Sequence, residues 1–150
     1  MSSPSLARRV AAEGLGTAFL LAAVVGSGIM GEELAGGNLA VALLANSLAT
    51  GTALYALIVV FGPVSGAHFN PAVTLAAASQ AGFAWRDVPA YLAAQLGGAL
   101  AGVAVANSMF ARPAFFLSTR VRSGAPQLLG ELVATFGLLA VIWGLSLIHI

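Results

Sequence analysis

The sequence predicts an all-α membrane protein, an incomplete helical bundle with three spans, a re-entrant half-helix and then a fourth span. Three observations carry this. The chain is 59% hydrophobic and only 7% charged, where soluble domains carry about 25% charged residues. Its apolar runs each reach the roughly 20 residues that an α-helix needs to cross a ~30 Å hydrocarbon core. Between the second and third runs lies a short polar stretch, Ser65-Gly66-Ala67-His68-Phe69-Asn70-Pro71-Ala72-Val73-Thr74, where a helix starts with too few apolar residues after it to cross again. The absence of cysteine removes disulfides and thiolate metal sites. A net charge of +1 without a basic stripe leaves no nucleic-acid surface.

The first span is read over 10–30. Arg8-Arg9 ahead of it resembles a signal-peptide start, but the run is too long for one and carries Glu13. Gly14, Ala18, Ala22 and Gly26 recur every fourth residue and make a smooth stripe for close helix packing. Glu32-Glu33 and Gly36-Gly37-Asn38 form a polar turn. The second span is read over 39–61, with Ala45, Ala49 and Ala53 as its small stripe. Asn46 and Thr50 are four apart, share a face, and are expected to look inward.

Gly62-Pro63 is expected to break that helix. The re-entrant loop and half-helix are placed at 65–79, with Asn70 as N-cap and Pro71 at the first helical position. From Pro71 to Ser79 the half-helix is about 13 Å long, less than half the hydrocarbon core. Gln80 to Asp87 is polar enough to lie at the surface. The chain therefore dips in and leaves by the same side. Irregular backbone at that depth is buried in protein or lines a water-filled cavity.

The third span is read over 88–110, with Ala94, Gly98 and Gly102 as its stripe and Gln95 as a lone polar residue. A connection over 111–127 holds Arg112, Arg120 and Arg122, and a fourth apolar run occupies 128–150. Glu13 is followed by Thr17, Phe19, Leu20 and Leu21; Glu131 is followed by Thr135, Phe136, Leu138 and Leu139. This weak repeat divides the chain into a first half-repeat, 1–127, and the opening span of a second, 128–150. Repeated halves with an interrupted segment point to a channel or transporter.

Together these residues resemble the aquaporin and glycerol-facilitator family, the major intrinsic proteins. The resemblance rests on Glu13-x-x-Gly16-Thr17, the whole stretch Ser65 to Thr74, Ala94-Gln95-x-x-Gly98-Ala99, and Glu131-x-x-x-Thr135-Phe136. It implies six spans in two inverted halves, each with a half-helix headed by Asn-Pro-Ala, and passive passage of water or small neutral solutes. It also implies homotetramers with a pore in each subunit, in the plasma or inner membrane, with no cofactor and no enzyme activity. The second Asn-Pro-Ala and the arginine after it have no counterpart in these residues, so the chain is expected to be truncated. Arg112, Arg120 and Arg122 lie in the wrong loop to replace that arginine.

Under this resemblance Asn70 points its N–H donors into the pore, Pro71 and Ala72 complete the head of the half-helix, and Gly66, Ala67 and His68 line the approach with carbonyls. His68 either lines the path or packs beside the loop; no second ligand stands at metal spacing, and His149 receives no role. Glu13 and Glu131 either relay protons or accept hydrogen bonds from orphan loop N–H groups, and the resemblance favours the second. Gln95 is expected to be an interhelical partner. Aligned on Asn70, Thr50 falls where the family usually places an aromatic at its constriction. A small hydroxyl there predicts a wider passage, open to glycerol or neutral metalloid hydroxides. A secondary transporter and a non-conducting fragment are the competing readings. Basic residues on both sides leave orientation undecided by charge.

Overall fold

The computed structural model describes residues 4–80, 82–116 and 123–148. Arg120, Arg122 and His149 lie outside the described residues. The elements are α1 (Leu6–Leu34), α2 (Leu39–Ser65), α3 (Pro71–Ser79), a single 3-10 turn (Trp85–Asp87), α4 (Val88–Met109) and α5 (Ala125–Ile148). There is no strand among the described residues. Four helices are long and apolar enough to cross a membrane, at Leu6–Leu34, Leu39–Ser65, Trp85–Met109 and Ala125–Leu145. The protein is an all-α membrane protein. Residues up to Phe116 form one compact unit, and α5 belongs to a second.

Local chemistry explains where the helices begin and end. Ser5 caps α1 through Arg8 N–H, 3.4 Å. Gly36 and Gly37 both take positive φ in the turn before α2. Asn38 Oδ1 then caps α2 by accepting from the Ala40 and Val41 amides at 3.1 and 3.3 Å. The expected break at Gly62-Pro63 is corrected: α2 runs through Pro63 to Ser65. Proline disfavours helical backbone at the residue before it, and here that residue is a permissive glycine. The helix stops instead at Gly66, which adopts φ 89° and returns its N–H to Gly62 O.

α1 is the central helix of the first unit, with α4 on one side and α2 on the other. A methyl on Gly98 would overlap the Gly14 carbonyl, one on Gly102 the Ala18 carbonyl, and one on Gly26 would touch Phe110. The offset between partners is the same each time, so α1 and α4 run parallel with backbones in direct contact. α2 runs antiparallel to α1. Ala42 is buried against Gly31, and Asn46 Nδ2 donates to Val24 O at 2.8 Å and Ser27 Oγ at 3.0 Å. The seam passes through Ala42 and Asn46; of the expected α2 stripe, Ala49 and Ala53 are half-buried, while Ala45 is exposed beside a groove that it lines with Ala49 and α1.

The burial pattern is inverted relative to a soluble protein. Glu13, Thr17, Thr74, Gln95 and Asn107 are buried, whereas Leu43, Leu44, Leu48, Leu96 and Leu100 face outward. That arrangement suits a lipid surround, in which polar groups must find partners inside. Ion pairs join the helix ends. Arg9 Nη2 meets Asp87 Oδ2 at 2.8 Å, and Arg112 Nη2 meets Glu33 Oε1 at 3.1 Å. Asp87, at the end of the polar stretch Gln80 to Asp87, is buried in the protein with its carboxylate held by Arg9.

In the second unit, α5 is a continuous apolar helix that carries Glu131 on an exposed position.

Candidate functional site

The site is the irregular stretch 66–70 together with α3. Its depth follows from its neighbours. The Phe69 ring occupies the space where a Gly16 side chain would stand, and the 3-10 turn at Trp85–Asp87 lies beside Arg9. Arg9 and Gly16 are two turns apart on α1, about 10 Å. The chain thus enters the bundle by about that distance and returns to the same end, with α3 as the returning limb. Asn70 heads α3. Its backbone is extended, its Oδ1 accepts from Ala72 N–H at 2.8 Å, and Pro71 takes the first helical position.

Glu13 organises the loop. Its Oε1 accepts from Ser65 Oγ at 2.7 Å and His68 N–H at 2.9 Å; its Oε2 accepts from Phe69 N–H at 2.8 Å and Gln95 Nε2 at 2.9 Å. The Ala67 amide is taken by Ser65 Oγ at 3.1 Å. Three consecutive loop amides are therefore satisfied on the α1 side. This bonding compensates an unusual backbone: Ala67 and Phe69 have φ of 49° and 48°, a region that costs a non-glycine residue about 1–3 kcal/mol.

A second set of bonds ties the loop to α3 and α4. Gln95 Nε2 also donates to Thr74 Oγ1 at 2.9 Å, and Thr74 Oγ1 lies 3.2 Å from Asn70 O and 3.1 Å from His68 Nδ1. Tyr91 donates its hydroxyl to Ser65 O at 2.8 Å. The rings of His68, Phe83 and Tyr91 touch one another, with centroids 4.6 to 5.4 Å apart.

Of the residues singled out above, Glu13, Gln95, Gly66, Ala67, His68, Asn70, Pro71 and Ala72 come together here. Gly66 and Pro71 are exposed, Ala67 is buried, and His68, Asn70 and Ala72 are half-buried. Thr50 is half-buried on α2, away from the Glu13 network, and Glu131 belongs to the second unit. Asn46, which shares the Thr50 face, is committed to α1. Sequence reasoning gave no role to Ser65, Thr74, Phe83, Asp87 or Tyr91. Two of these had a readable signal: Thr74 stands one turn after Asn70, and Tyr91 one turn before Gln95, on the same faces.

Comparison with known proteins identifies the family. The family model described as major intrinsic protein matches residues 1–147. Aquaglyceroporin AqpS of Rhizobium meliloti (strain 1021) is 51% identical over 142 residues, covering 95% of this chain and 60% of that protein. Aquaporin NIP1-3 of Oryza sativa subsp. japonica is 36% identical over 148 residues, covering 97% of this chain and 51% of that protein. The probable aquaporin NIP7-1 of Arabidopsis thaliana is 36% identical over 129 residues, with coverage of 85% and 46%. The chain spans about half to three-fifths of the length of these curated relatives. A match across almost every residue, through α1, the loop at 66–70 and α4, places this chain in the major intrinsic protein family.

Proposed function

We propose that this chain forms the wall of a passive transmembrane channel for water and small neutral solutes, with the head of α3 as its point of discrimination. One observation carries this reading: the polar groups of the loop are divided between two sides. The amides of residues 67–69 turn toward Ser65 and Glu13, and the Asn70 side-chain oxygen is taken by Ala72. That leaves the carbonyls of Gly66, Ala67 and His68 and the Asn70 Nδ2 donor for a passing solute, which exchanges its hydration shell for them in steps. The N-terminus of α3 carries about +0.5 of an elementary charge and repels cations. A water that accepts from Asn70 turns its hydrogens away, which interrupts a proton wire.

In this reading Glu13 and Gln95 support the loop, and Glu131 does the same for a second loop. Thr50 sets a wide constriction that admits glycerol or a neutral metalloid hydroxide, which fits the aquaglyceroporin name of one relative. The subunits form homotetramers in the plasma or inner membrane, and the activity is transport rather than catalysis.

The test is a chimera in which residues 1–147 replace the matching segment of the Rhizobium aquaglyceroporin, assayed by liposome swelling beside the chain alone. The chimera is expected to pass water and glycerol without saturation, whereas saturable, ion-coupled uptake would indicate a transporter. Asn70→Asp should introduce a cation leak, because a carboxylate cancels the positive end of α3. Thr50→Phe should cut glycerol flux about tenfold or more while sparing water, by narrowing the constriction against the larger solute. Unchanged glycerol flux would remove Thr50 from the constriction.

A further inference from the structure

The re-entrant loop is held in two separate ways, and only one of them involves Glu13. Glu13 grips backbone amides at His68 and Phe69 and leaves the His68 ring free of it. That ring is held by Thr74 Oγ1, by Phe83 at 5.2 Å and by Tyr91 at 5.4 Å between centroids. Phe83 lies between this site and the end of the bundle. Its inner side meets His68 and Tyr91, and the Arg9 guanidinium carbon lies 5.9 Å from its ring centroid. Arg9 in turn is fixed by Asp87 at 2.8 Å, and Arg86 Nε stands 3.7 Å from the other Asp87 oxygen.

The Asp87 side chain is 9% exposed and that of Arg9 26%. A pair so placed is screened less than an exposed one, and a cation above an aromatic face adds attraction where water is partly excluded. The contacts form an unbroken series from the bundle end to the loop: Asp87, Arg9, Phe83, His68. Tyr91 gives the same pair a second connection: it interacts with Arg9, donates to Ser65 O and packs against the His68 ring.

We propose that Arg9, Asp87 and Phe83 are positioning residues for the passage, which act on solute selection by fixing where the His68 ring stands. None of them touches the Asn70 head. The proposal rests on the reading of residues 66–70 as the channel wall. Loosening the ion pair frees Phe83, and the His68 imidazole then moves about its side-chain bonds while its backbone stays clamped by Glu13. The ratio of glycerol to water permeability changes, because the ring alters the width of the path while the carbonyl-bearing backbone stays in place.

The experiment uses the chain reconstituted in lipid vesicles, with the imidazole signals of His68 followed by NMR and assigned through His68→Gln. Asp87→Asn and Phe83→Leu are each expected to shift or broaden the His68 ring signals while the amide protection of residues 67–69 stays as in the parent. Asp87→Glu restores the parent spectrum. The glycerol-to-water permeability ratio should change about 2- to 30-fold in the first two variants, the range seen for couplings through packed networks. Unchanged His68 ring signals in both variants overturn the proposal, as does an altered ring with an unaltered permeability ratio. Where the chain alone conducts nothing, the permeability ratio is read in the chimera with the Rhizobium aquaglyceroporin; a chimera that conducts nothing counts against the channel reading, and the imidazole spectrum then decides the positioning claim by itself.

Discussion

Glu13→Gln replaces a carboxylate that receives four donors with an amide of the same shape that can receive them on one oxygen only. The structure indicates which oxygen survives. If the remaining oxygen takes the Oε1 position, Phe69 N–H loses its acceptor and Gln95 Nε2 loses one of its two, keeping Thr74 Oγ1. If it takes the Oε2 position, Ser65 Oγ and His68 N–H are displaced, and Ser65 can turn to Phe61 O, 3.4 Å away. The second arrangement strands a single buried donor, the His68 amide. An orphaned buried N–H costs about 1–3 kcal/mol, and loss of charge from the two surviving bonds adds about 1 kcal/mol. The loop also stores strain at Ala67 and Phe69, which favours local opening once its anchor weakens.

The total, about 2–4 kcal/mol, corresponds to opening roughly 30- to 1,000-fold more often. Residue-resolved hydrogen exchange in vesicles reads it directly. The His68 amide should exchange faster by that factor and by more than the Phe69 amide, with α1 and α4 amides unchanged. Acceleration of Phe69 ahead of His68 would show that the amide orientation is the other one. No acceleration at either residue would mean that Glu13 does not hold the loop.

Two further outcomes follow from the packing. Gly98→Ala forces a methyl into the Gly14 carbonyl, and the parallel contact of α1 and α4 leaves no flexible side chain to yield. The cost should be about 1–3 kcal/mol, visible as a lowered thermal midpoint in detergent, whereas Gly97→Ala, with nothing near its Cβ, should leave the midpoint in place. Ala67→Gly should be neutral or stabilising by up to about 1 kcal/mol, because the relief of a left-handed alanine offsets the flexibility gained in the unfolded chain. Clear destabilisation by Ala67→Gly in the same assay would mean that the 49° torsion is not strained.

The short helix α3 was legible because its signals are local. Asn-Pro at a cap, followed by a run too short to span, needs no knowledge of the rest of the chain, and α3 begins at Pro71 and ends at Ser79 as those signals require. The end of α2 was misread because proline was given more weight than the glycine that follows it; the left-handed Gly66, not Pro63, stops the helix. The α2 seam was ambiguous because alanines lie on several faces of that helix, and only the polar Asn46 shows which one meets α1. The Arg9–Asp87 pair joins residues 78 positions apart, and no periodicity or spacing announces it. Thr74 and Tyr91 were recoverable from their four-residue spacing to Asn70 and Gln95.

The reach of the Glu13 bonds also dictates an order of assembly. Its partners lie 52, 55, 56 and 82 residues further along the chain. A nine-residue helix is too short to be stable alone, and a loop with two left-handed non-glycine residues has no local preference for its shape. Synthesis delivers α1 first, then the loop, then Gln95 on α4. α1 thus acts as a template for a stretch made much later, and the loop sets into form only when α4 closes over it.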